Sequence, residues 1–272
     1  MHESALDKLR TIRTAYLADV EQTPLQVLDV GSAVAHPGHE SNRSVMANPA
    51  WILRGLDIAP GENVDVVVAR PYDWTEVPSG SVDVITCSQV FEHAEYFWIT
   101  MMEISRVLKT HGVAFINAPG AGPLHRYPVD CWRFYDDAFP ALARYSGLTL
   151  LESQVQWAPA YRKGLQWRDA TAVMQRPARS PAEEHAMAVR IAGAKLSAMD
   201  EIGLATLAAV GATPAPAEAS AIGPREGLGA LEQRAAALMR DTSALGRKAF
   251  LIRRELRSIG EIITRPLDDL KL

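Results

Sequence analysis

Two acidic residues and one glycine stand where apolar runs of the sequence end. Residues 27–33 read Val-Leu-Asp-Val-Gly-Ser-Ala, so that a run of strand-forming residues carries Asp29 and breaks at Gly31. A second apolar run, 51–56, is followed by Asp57. A glycine at such a break lets the backbone approach a ligand, and a carboxylate at the tip of the next strand can accept hydrogen bonds from both hydroxyls of a ribose. The pattern indicates a nucleoside site in an open α/β sheet.

The glycine motif itself is thin. Ala33 and Ala35 stand where a dinucleotide fingerprint would have further glycines. Taken alone, the stretch is therefore ambiguous between dinucleotide, nucleotide and methyl-donor binding. The alternative for both carboxylates is capping of the loop after a strand, which aspartates often perform.

Strands that alternate with helices must position these residues, and the alternation predicts an α/β fold with a mostly parallel sheet. The last two strands are predicted to form an antiparallel hairpin at the sheet edge. The predicted strands are residues 25–30, 51–56, 64–68, 82–87, 113–117, 148–157 and about 168–175. The predicted helices are residues 4–20, a short helix within 38–48, a helix over 95–109 that ends at His111-Gly112, and residues 136–146.

The composition divides the chain into four parts. Residues 1–177 are predicted to form the α/β domain, and a capping box that ends on Glu183 begins a helical extension over 178–210. Residues 211–224 are rich in Ala and Pro, as linkers often are. Residues 225–265 have apolar side chains at alternating steps of three and four, which is the pattern of a coiled coil. This helix either packs on its own domain or pairs with another chain, in a homo-oligomer or with a partner protein.

The bulk composition argues against several classes of protein. The net charge of −4 and the pI of about 6.0 do not favour nucleic-acid binding. No apolar run is long enough to predict a membrane span, and the first residues do not resemble a signal peptide, so we expect a cytoplasmic protein. Cys87 and Cys131 have no metal-ligand spacing, and no metal site is predicted.

Four blocks of the sequence, in order over about residues 25–176, resemble class I S-adenosylmethionine-dependent methyltransferases. The blocks are Val27-Leu-Asp-Val-Gly-Ser, Gly55-Leu-Asp-Ile, Ser81-Val-Asp-Val-Ile-Thr-Cys-Ser-Gln-Val-Phe-Glu-His and Arg106-Val-Leu-Lys-Thr-His-Gly. A further run, His125-Arg-Tyr-Pro-Val-Asp-Cys-Trp-Arg-Phe, resembles a bacterial subgroup that is often associated with cell-surface glycan or secondary-metabolite pathways. The resemblance implies a Rossmann-like sheet, S-adenosylmethionine as cofactor and a small-molecule acceptor.

The resemblance also implies which residues hold the cofactor. Asp57 would hold the ribose diol, while Asp29 and the backbone of Gly31 and Ser32 would meet the amino-acid end. Arg43 would pair with the cofactor's carboxylate, unless it is a solvated helix residue. The full set of implied contacts is Asp29, Gly31, Ser32, Arg43, Asp57, Ile58, Tyr72, Asp73 and Ser88.

The adenine contact departs from the family's pattern. The family usually has an acidic residue just after the third strand, whereas this chain reads Ala69-Arg-Pro-Tyr-Asp there. Asp73 would serve from a shifted loop, or a backbone group would replace it, and Tyr72 would cover the face of the adenine.

Two histidines are candidates for removing a proton from the acceptor, because a hydroxyl is a weak nucleophile while it is protonated. His125 is the preferred base, and the resemblance implies a positional role for His93, which follows Glu92. The alternative for each is a loop histidine bonded to backbone. The predicted substrate wall is Arg126, Tyr127, Asp130, Trp132 and Arg133. Alternatively, this loop is packed, with Trp132 and Phe134 in the core and Arg133 in an internal salt bridge.

These features predict an S-adenosylmethionine-dependent methyltransferase that acts on a small molecule. The expected reaction is O-methylation of a sugar or polar metabolite in glycan or secondary-metabolite biosynthesis. The alternative is a catalytically inactive relative that serves as a nucleotide-binding or scaffold protein. The thin glycine motif and the missing third-strand acid favour that alternative, whereas Asp57, Glu92-His93 and the His125 loop favour the enzyme.

Overall fold

A single mixed β-sheet organises the part of the chain that the structure, a computed structural model, describes: residues 3–34, 38–155, 165–198 and 217–227. Its strands are β1 (Leu25–Val30), β2 (Trp51–Asp57), β3 (Val66–Val67), β4 (Val82–Ser88), β5 (Leu108–Ala118), β6 (Thr149–Val155) and β7 (Ala170–Gln175). The helices are α1 (Glu3–Leu17), α2 (Asn42–Met46), α3 (Phe97–Val107), α4 (Ala138–Ser146) and α5 (Pro181–Leu196). Short 3-10 turns follow at Ala18–Val20 and Leu165–Trp167.

The seven strands lie in the order β3-β2-β1-β4-β5-β7-β6. Strands β1 to β5 pair in parallel, while β7 runs antiparallel to both β5 and β6. The predicted parallel sheet with an antiparallel edge hairpin is thus confirmed. Strand β2 lies on one side of β1 and β4 lies on the other, so the direction of the strand order reverses at β1. The carboxyl ends of β1 and β4 therefore flank the crevice where open α/β sheets bind ligands.

Helices cover both faces of the sheet because alternate residues of the central strands point to opposite sides. Leu28 and Ile85 belong to the cluster that packs beneath α3 and α4. Val27 and Val84 belong to the cluster that packs beneath α1. The central strands are therefore buried on both faces, which leaves their ends as the places where side chains reach solvent.

The junction between α3 and β5 differs from the prediction. The helix ends at Val107 and the strand begins at Leu108, whereas the sequence predicted a helix to residue 109 and a strand from 113. Leu108 already pairs with Val82, and the register then shifts before Val84 pairs with Val113. The residues directly after Val107 are good helix formers, so the sequence predicted that the helix continues there. In the structure, pairing with β4 overrides this local helix propensity.

The helical extension begins as predicted. The Ser180 side chain accepts a hydrogen bond from the backbone of Glu183, and the Glu183 side chain reaches back to the N-cap. At its other end, α5 is anchored by Lys195, whose Nζ lies 2.7 Å from Asp73 Oδ1 and 2.8 Å from Glu103 Oε1. The helix is thus held against the domain by buried charges.

Residues 217–227, which we call the strap, overlap the end of the predicted linker and pack across the amino ends of the strands. Ala219 bridges to Thr110, and Ser220 Oγ donates to Asp83 Oδ1 over 2.7 Å. The rest of the predicted linker, the end of the predicted extension and nearly all of the predicted coiled coil lie outside the described residues. No described helix has the length and apolar character that crossing a bilayer requires.

Candidate active site

A cleft of about 630 Å³ runs along the carboxyl ends of β1, β2 and β4. This volume lies within the range typical of small-molecule sites. Of the residues predicted to be functional, those that line it are Asp29, Gly31, Ser32, Asp57, Ile58, Tyr72, Ser88, His93, His125 and Tyr127. Those that do not line it are Arg43, Asp73, Arg126, Asp130, Trp132 and Arg133.

Gly31 forms the turn at the centre of the cleft. Its φ is +73°, a conformation that side chains with a Cβ adopt at a cost, and its N–H donates to Leu56 O over 2.8 Å. A Cβ on this residue would lie 2.2 Å from Val90 Cγ2, and Val90 also lines the cleft. The glycine therefore permits both the turn and the close packing of the cleft wall.

Asp29 is a buried carboxylate at the floor of the cleft. Its Oδ1 accepts hydrogen bonds from Asn42 Nδ2 and Thr86 Oγ1, each over 2.7 Å. Burial raises the pKa of Asp29 from 3.8 to about 6, and these two hydrogen bonds oppose the rise. A cationic ligand group would favour the ionised form.

Asp57 presents its carboxylate at the tip of β2. Oδ2 accepts from the N–H of Ala33 over 2.9 Å, and Oδ1 accepts from the N–H of Ile58 over 2.7 Å. These backbone donors fix the orientation of the carboxylate, and each oxygen keeps further acceptor capacity. The arrangement suits a diol that donates to both oxygens.

Two polar atoms support the presence of a ligand at this end. Ser32 Oγ and Asn42 Oδ1 are buried without a hydrogen-bond partner among the described residues, although both residues line the cleft. Buried polar atoms are normally satisfied, so orphaned ones beside a cleft indicate groups that a ligand completes. Together with Asp29 and Asp57, they fit the polar ends of S-adenosylmethionine.

The opposite end of the cleft is aromatic and carries both histidines. The rings of His93 and His125 meet edge to face with centroids 4.8 Å apart. Trp167 packs 4.7 Å from His125, and Tyr127 packs 5.7 Å from His93. His93 Nδ1 lies 2.6 Å from Val129 O, and burial lowers the pKa of His93.

Asp130 and Arg133 bond to each other instead of facing the cleft. Arg133 donates to Asp130 Oδ1 over 2.5 Å and to Oδ2 over 2.8 Å, and these bonds hold the pKa of Asp130 well below its usual range. The ionised Asp130 lies 3.3 Å from His125 Nδ1. The internal salt bridge, which was the alternative for Arg133, is what the structure shows, and the pair orients His125.

Two of the predicted cofactor contacts have other partners. Arg43 Nη1 lies 2.9 Å from Asp65 Oδ2 and 3.0 Å from Asn63 O. Asp73 is bonded to Lys195 of α5. The sequence did not show that a later helix would supply the partner of Asp73, because the two residues are far apart in the chain.

Two predicted substrate contacts lie on the outer side of the loop. Trp132 Nε1 donates to Ala94 O over 3.1 Å, and its ring packs edge to face on Phe97. Arg126 is exposed and does not line the cleft. Trp132 remains 37% exposed, so the alternative that it fills the core is wrong, whereas Phe134 is buried as that alternative predicted.

The sequence reasoning missed three residues at or beside the cleft. Gln89 has a φ of +59° and donates to Asn117 Oδ1 over 2.6 Å. Glu92 is fully buried, neither carboxylate oxygen has a hydrogen-bond partner among the described residues, and burial raises its pKa to about 8. Trp167 lies far along the chain, so nothing local connected it to the site. Glu92 was visible only as the neighbour of His93.

One segment of the chain matches a known protein family. Residues 42–116 match the family model described as a methyltransferase domain. No curated protein sequence matches the chain.

The solved structures that match the chain share little sequence with it. A Burkholderia thailandensis 1,6-didemethyltoxoflavin N1-methyltransferase, solved with S-adenosylhomocysteine, is 16% identical, with a TM-score of 0.48 over 64% of this chain and 79% of that one. A methyltransferase from Methanosarcina mazei is 15% identical, with a TM-score of 0.45 over 61% and 97%. One from Archaeoglobus fulgidus is 12% identical, with a TM-score of 0.43 over 62% and 94%.

Proposed function

We propose that this protein is a class I S-adenosylmethionine-dependent methyltransferase and that it methylates a hydroxyl group of a small polar molecule such as a sugar. The observation that carries the proposal is one continuous cleft with two different ends. Asp29 and Asp57 form a polar end that suits the cofactor. His93 and His125 lie at an aromatic end that suits an acceptor. A cleft that joins these ends brings donor and acceptor into line, and such alignment supplies much of the catalysis of a displacement reaction.

The cofactor end offers a partner for each polar part of S-adenosylmethionine. When bound, this cofactor supplies a methyl group activated by a sulfonium. Asp57 would accept from the ribose hydroxyls, and the ionised Asp29 would meet the ammonium group. The unpartnered oxygens of Ser32 and Asn42 would be satisfied by the same amino-acid end.

The acceptor end combines ring surfaces with a group that can take a proton. The faces and edges of Tyr127 and Trp167 suit the apolar face of a sugar ring or of another compact metabolite. His125, whose Nδ1 lies 3.3 Å from Asp130 Oδ2, would serve as the base that removes the acceptor's proton. We assign the removal of the acceptor's proton to this end of the cleft.

The test of the cofactor end measures binding of S-adenosylhomocysteine to the full-length protein by calorimetry. Asp57→Asn should weaken binding by about 10–100-fold, because a hydrogen bond to a charged group is worth about 1.5–3 kcal/mol. Asp137→Asn is the matched control, since Asp137 is exposed and caps α4 without a side-chain hydrogen bond. Equal affinities for the wild type and Asp57→Asn, or no binding at millimolar ligand, would contradict the proposal.

The test of the reaction incubates the protein with methyl-labelled cofactor and a panel of sugars and polar metabolites. Label should appear in a hydroxyl-bearing acceptor. Tight cofactor binding without transfer to any acceptor would favour the alternative of a catalytically inactive scaffold. Transfer to a nitrogen or carbon atom would keep the methyltransferase but refute the hydroxyl acceptor.

A further inference from the structure

Glu92 is an unusual carboxylate because it is fully buried beside the acceptor end of the cleft. Its side chain has no solvent exposure, and neither oxygen has a hydrogen-bond partner among the described residues. An unsatisfied buried acceptor costs free energy, and a charged one costs more. A proton or a bound cation must therefore complete this group.

The geometry of His93 favours a cation over a shared proton. Its Nδ1 lies 2.6 Å from Val129 O, and because a carbonyl only accepts, Nδ1 carries the proton and the neutral ring keeps a lone pair on Nε2. This Nε2 lies 3.6 Å from Glu92 Oε1. That distance exceeds the limit of about 3.2 Å for a hydrogen bond. It is close to the separation of about 3.4 Å between two ligands of one tetrahedral cation.

His125 supplies a third ligand atom. One ligand atom from each of Glu92, His93 and His125 lies within 4.8 Å of the others. His125 Nδ1 also lies 3.3 Å from a carboxylate oxygen of Asp130 and from Pro123 O. Both histidines thus have Nδ1 beside an oxygen acceptor, which is how outer residues orient metal-binding imidazoles.

We propose that Glu92, His93 and His125 bind a divalent cation of the zinc type at the acceptor end of the cleft. Two imidazole nitrogens and one carboxylate form a donor set that zinc and other first-row divalent metals accept. Three protein ligands leave a coordination position open, and both histidines line the cleft, so that position is accessible to a ligand. The sequence predicted no metal because these residues have no metal-ligand spacing along the chain.

The cation would act on the acceptor. The proposal rests on the proposed function only for the identity of the remaining ligand, which is the hydroxyl oxygen of the acceptor. Coordination lowers the pKa of that hydroxyl, its O–H bond breaks, and the proton passes to water. Under this proposal His125 acts as a metal ligand and not as the base that the sequence predicted.

The experiment titrates Zn²⁺ by calorimetry into full-length protein stripped with a chelator, and repeats the titration with Co²⁺ to follow its visible absorption. The wild type should bind one equivalent. Glu92→Gln keeps the volume of the side chain but removes its charge, and it should weaken binding at least about tenfold, as even the loss of an outer partner does. Glu62→Gln, an exposed residue outside the cleft, should bind as the wild type does.

Several outcomes separate this proposal from the proposed function. Equal Zn²⁺ affinity in the wild type and Glu92→Gln would overturn the metal site. Methyl transfer by stripped protein at the rate of the Zn²⁺-loaded protein would overturn the role of the cation and favour direct proton transfer to His125. If Zn²⁺ binds as expected but S-adenosylhomocysteine does not bind, the metal site is supported and the proposed function fails.

Discussion

The protonation state of Asp29 should control how tightly the protein binds its cofactor near pH 6. Burial raises the pKa of this carboxyl to about 6, and we assign the ionised form to the ammonium group of the cofactor. At pH 5 only about a tenth of Asp29 is ionised, whereas nearly all of it is ionised at pH 7.5. If only the ionised form binds, the apparent Kd should rise about tenfold between these two pH values.

The assay is calorimetric titration of S-adenosylmethionine across this pH range for the wild type and for Asp29→Asn. The amide keeps an oxygen that accepts from Thr86 and Asn42 but does not titrate. The variant should bind more weakly at pH 7.5, with a flatter pH profile. Any other group that titrates across this range does so in both proteins, so the difference between the two profiles isolates Asp29. Parallel profiles would refute the assignment of Asp29 to the ammonium.

The same pKa shift has the opposite consequence for stability. Because the folded state holds the proton of Asp29 more tightly than the unfolded state does, stability falls as the pH rises from 3.8 to about 6. The shift corresponds to about 3 kcal/mol at neutral pH. Asp29→Asn should therefore raise the free energy of unfolding at pH 7.5 while it weakens cofactor binding. A destabilised variant at that pH would contradict this account of the buried charge.

Three further substitutions test other parts of the structure. Gly31→Ala should lower stability by at least about 1–2 kcal/mol from the positive φ alone. The loss should exceed that of Gly38→Ala, whose φ is also positive but whose added Cβ meets nothing within 4 Å. Equal losses in thermal unfolding would refute the clash between the added Cβ and Val90. Lys195→Met should cost about 1.5–3 kcal/mol in denaturant unfolding, because it removes charge-assisted hydrogen bonds to Glu103 and Asp73 while Glu103 keeps Arg106; a loss below about 1 kcal/mol would contradict the docking of α5. His125→Ala should slow turnover by about 10²-fold or more with cofactor affinity unchanged; unchanged turnover would remove His125 from the reaction.

The cofactor end of the cleft was predictable because strand ends obey a simple rule. Residues at the carboxyl ends of neighbouring parallel strands meet at one edge of the sheet, so Asp29 and Asp57 could be placed from the apolar runs before them. Their register follows from the pairing of β1 with β2, in which Asp29 lies opposite Gly55. Local pattern and strand order were sufficient for these residues.

The acceptor end was not predictable in the same way. Glu92 and His125 are separated by a helix and a strand, and only the path of two loops brings them together. Asp130 and Arg133 looked like substrate contacts because their residue types suit sugars, yet their spacing also allows the ion pair that the structure shows. A sequence pattern shows which side chains are able to bind a ligand. Tertiary contacts decide whether such a side chain is already paired with another residue.

The strap determines on which side of the domain residue 227 lies. Ser220 is bonded to the start of β4, and Arg225 donates to Asp19 at the end of the first helical segment. Both contacts lie at the amino ends of the strands, while the cleft opens at the carboxyl ends. A fluorophore, affinity handle or immobilising surface attached after residue 227 would thus be tethered on the far side from the cleft. Cargo fused there should leave the entry of small ligands unobstructed.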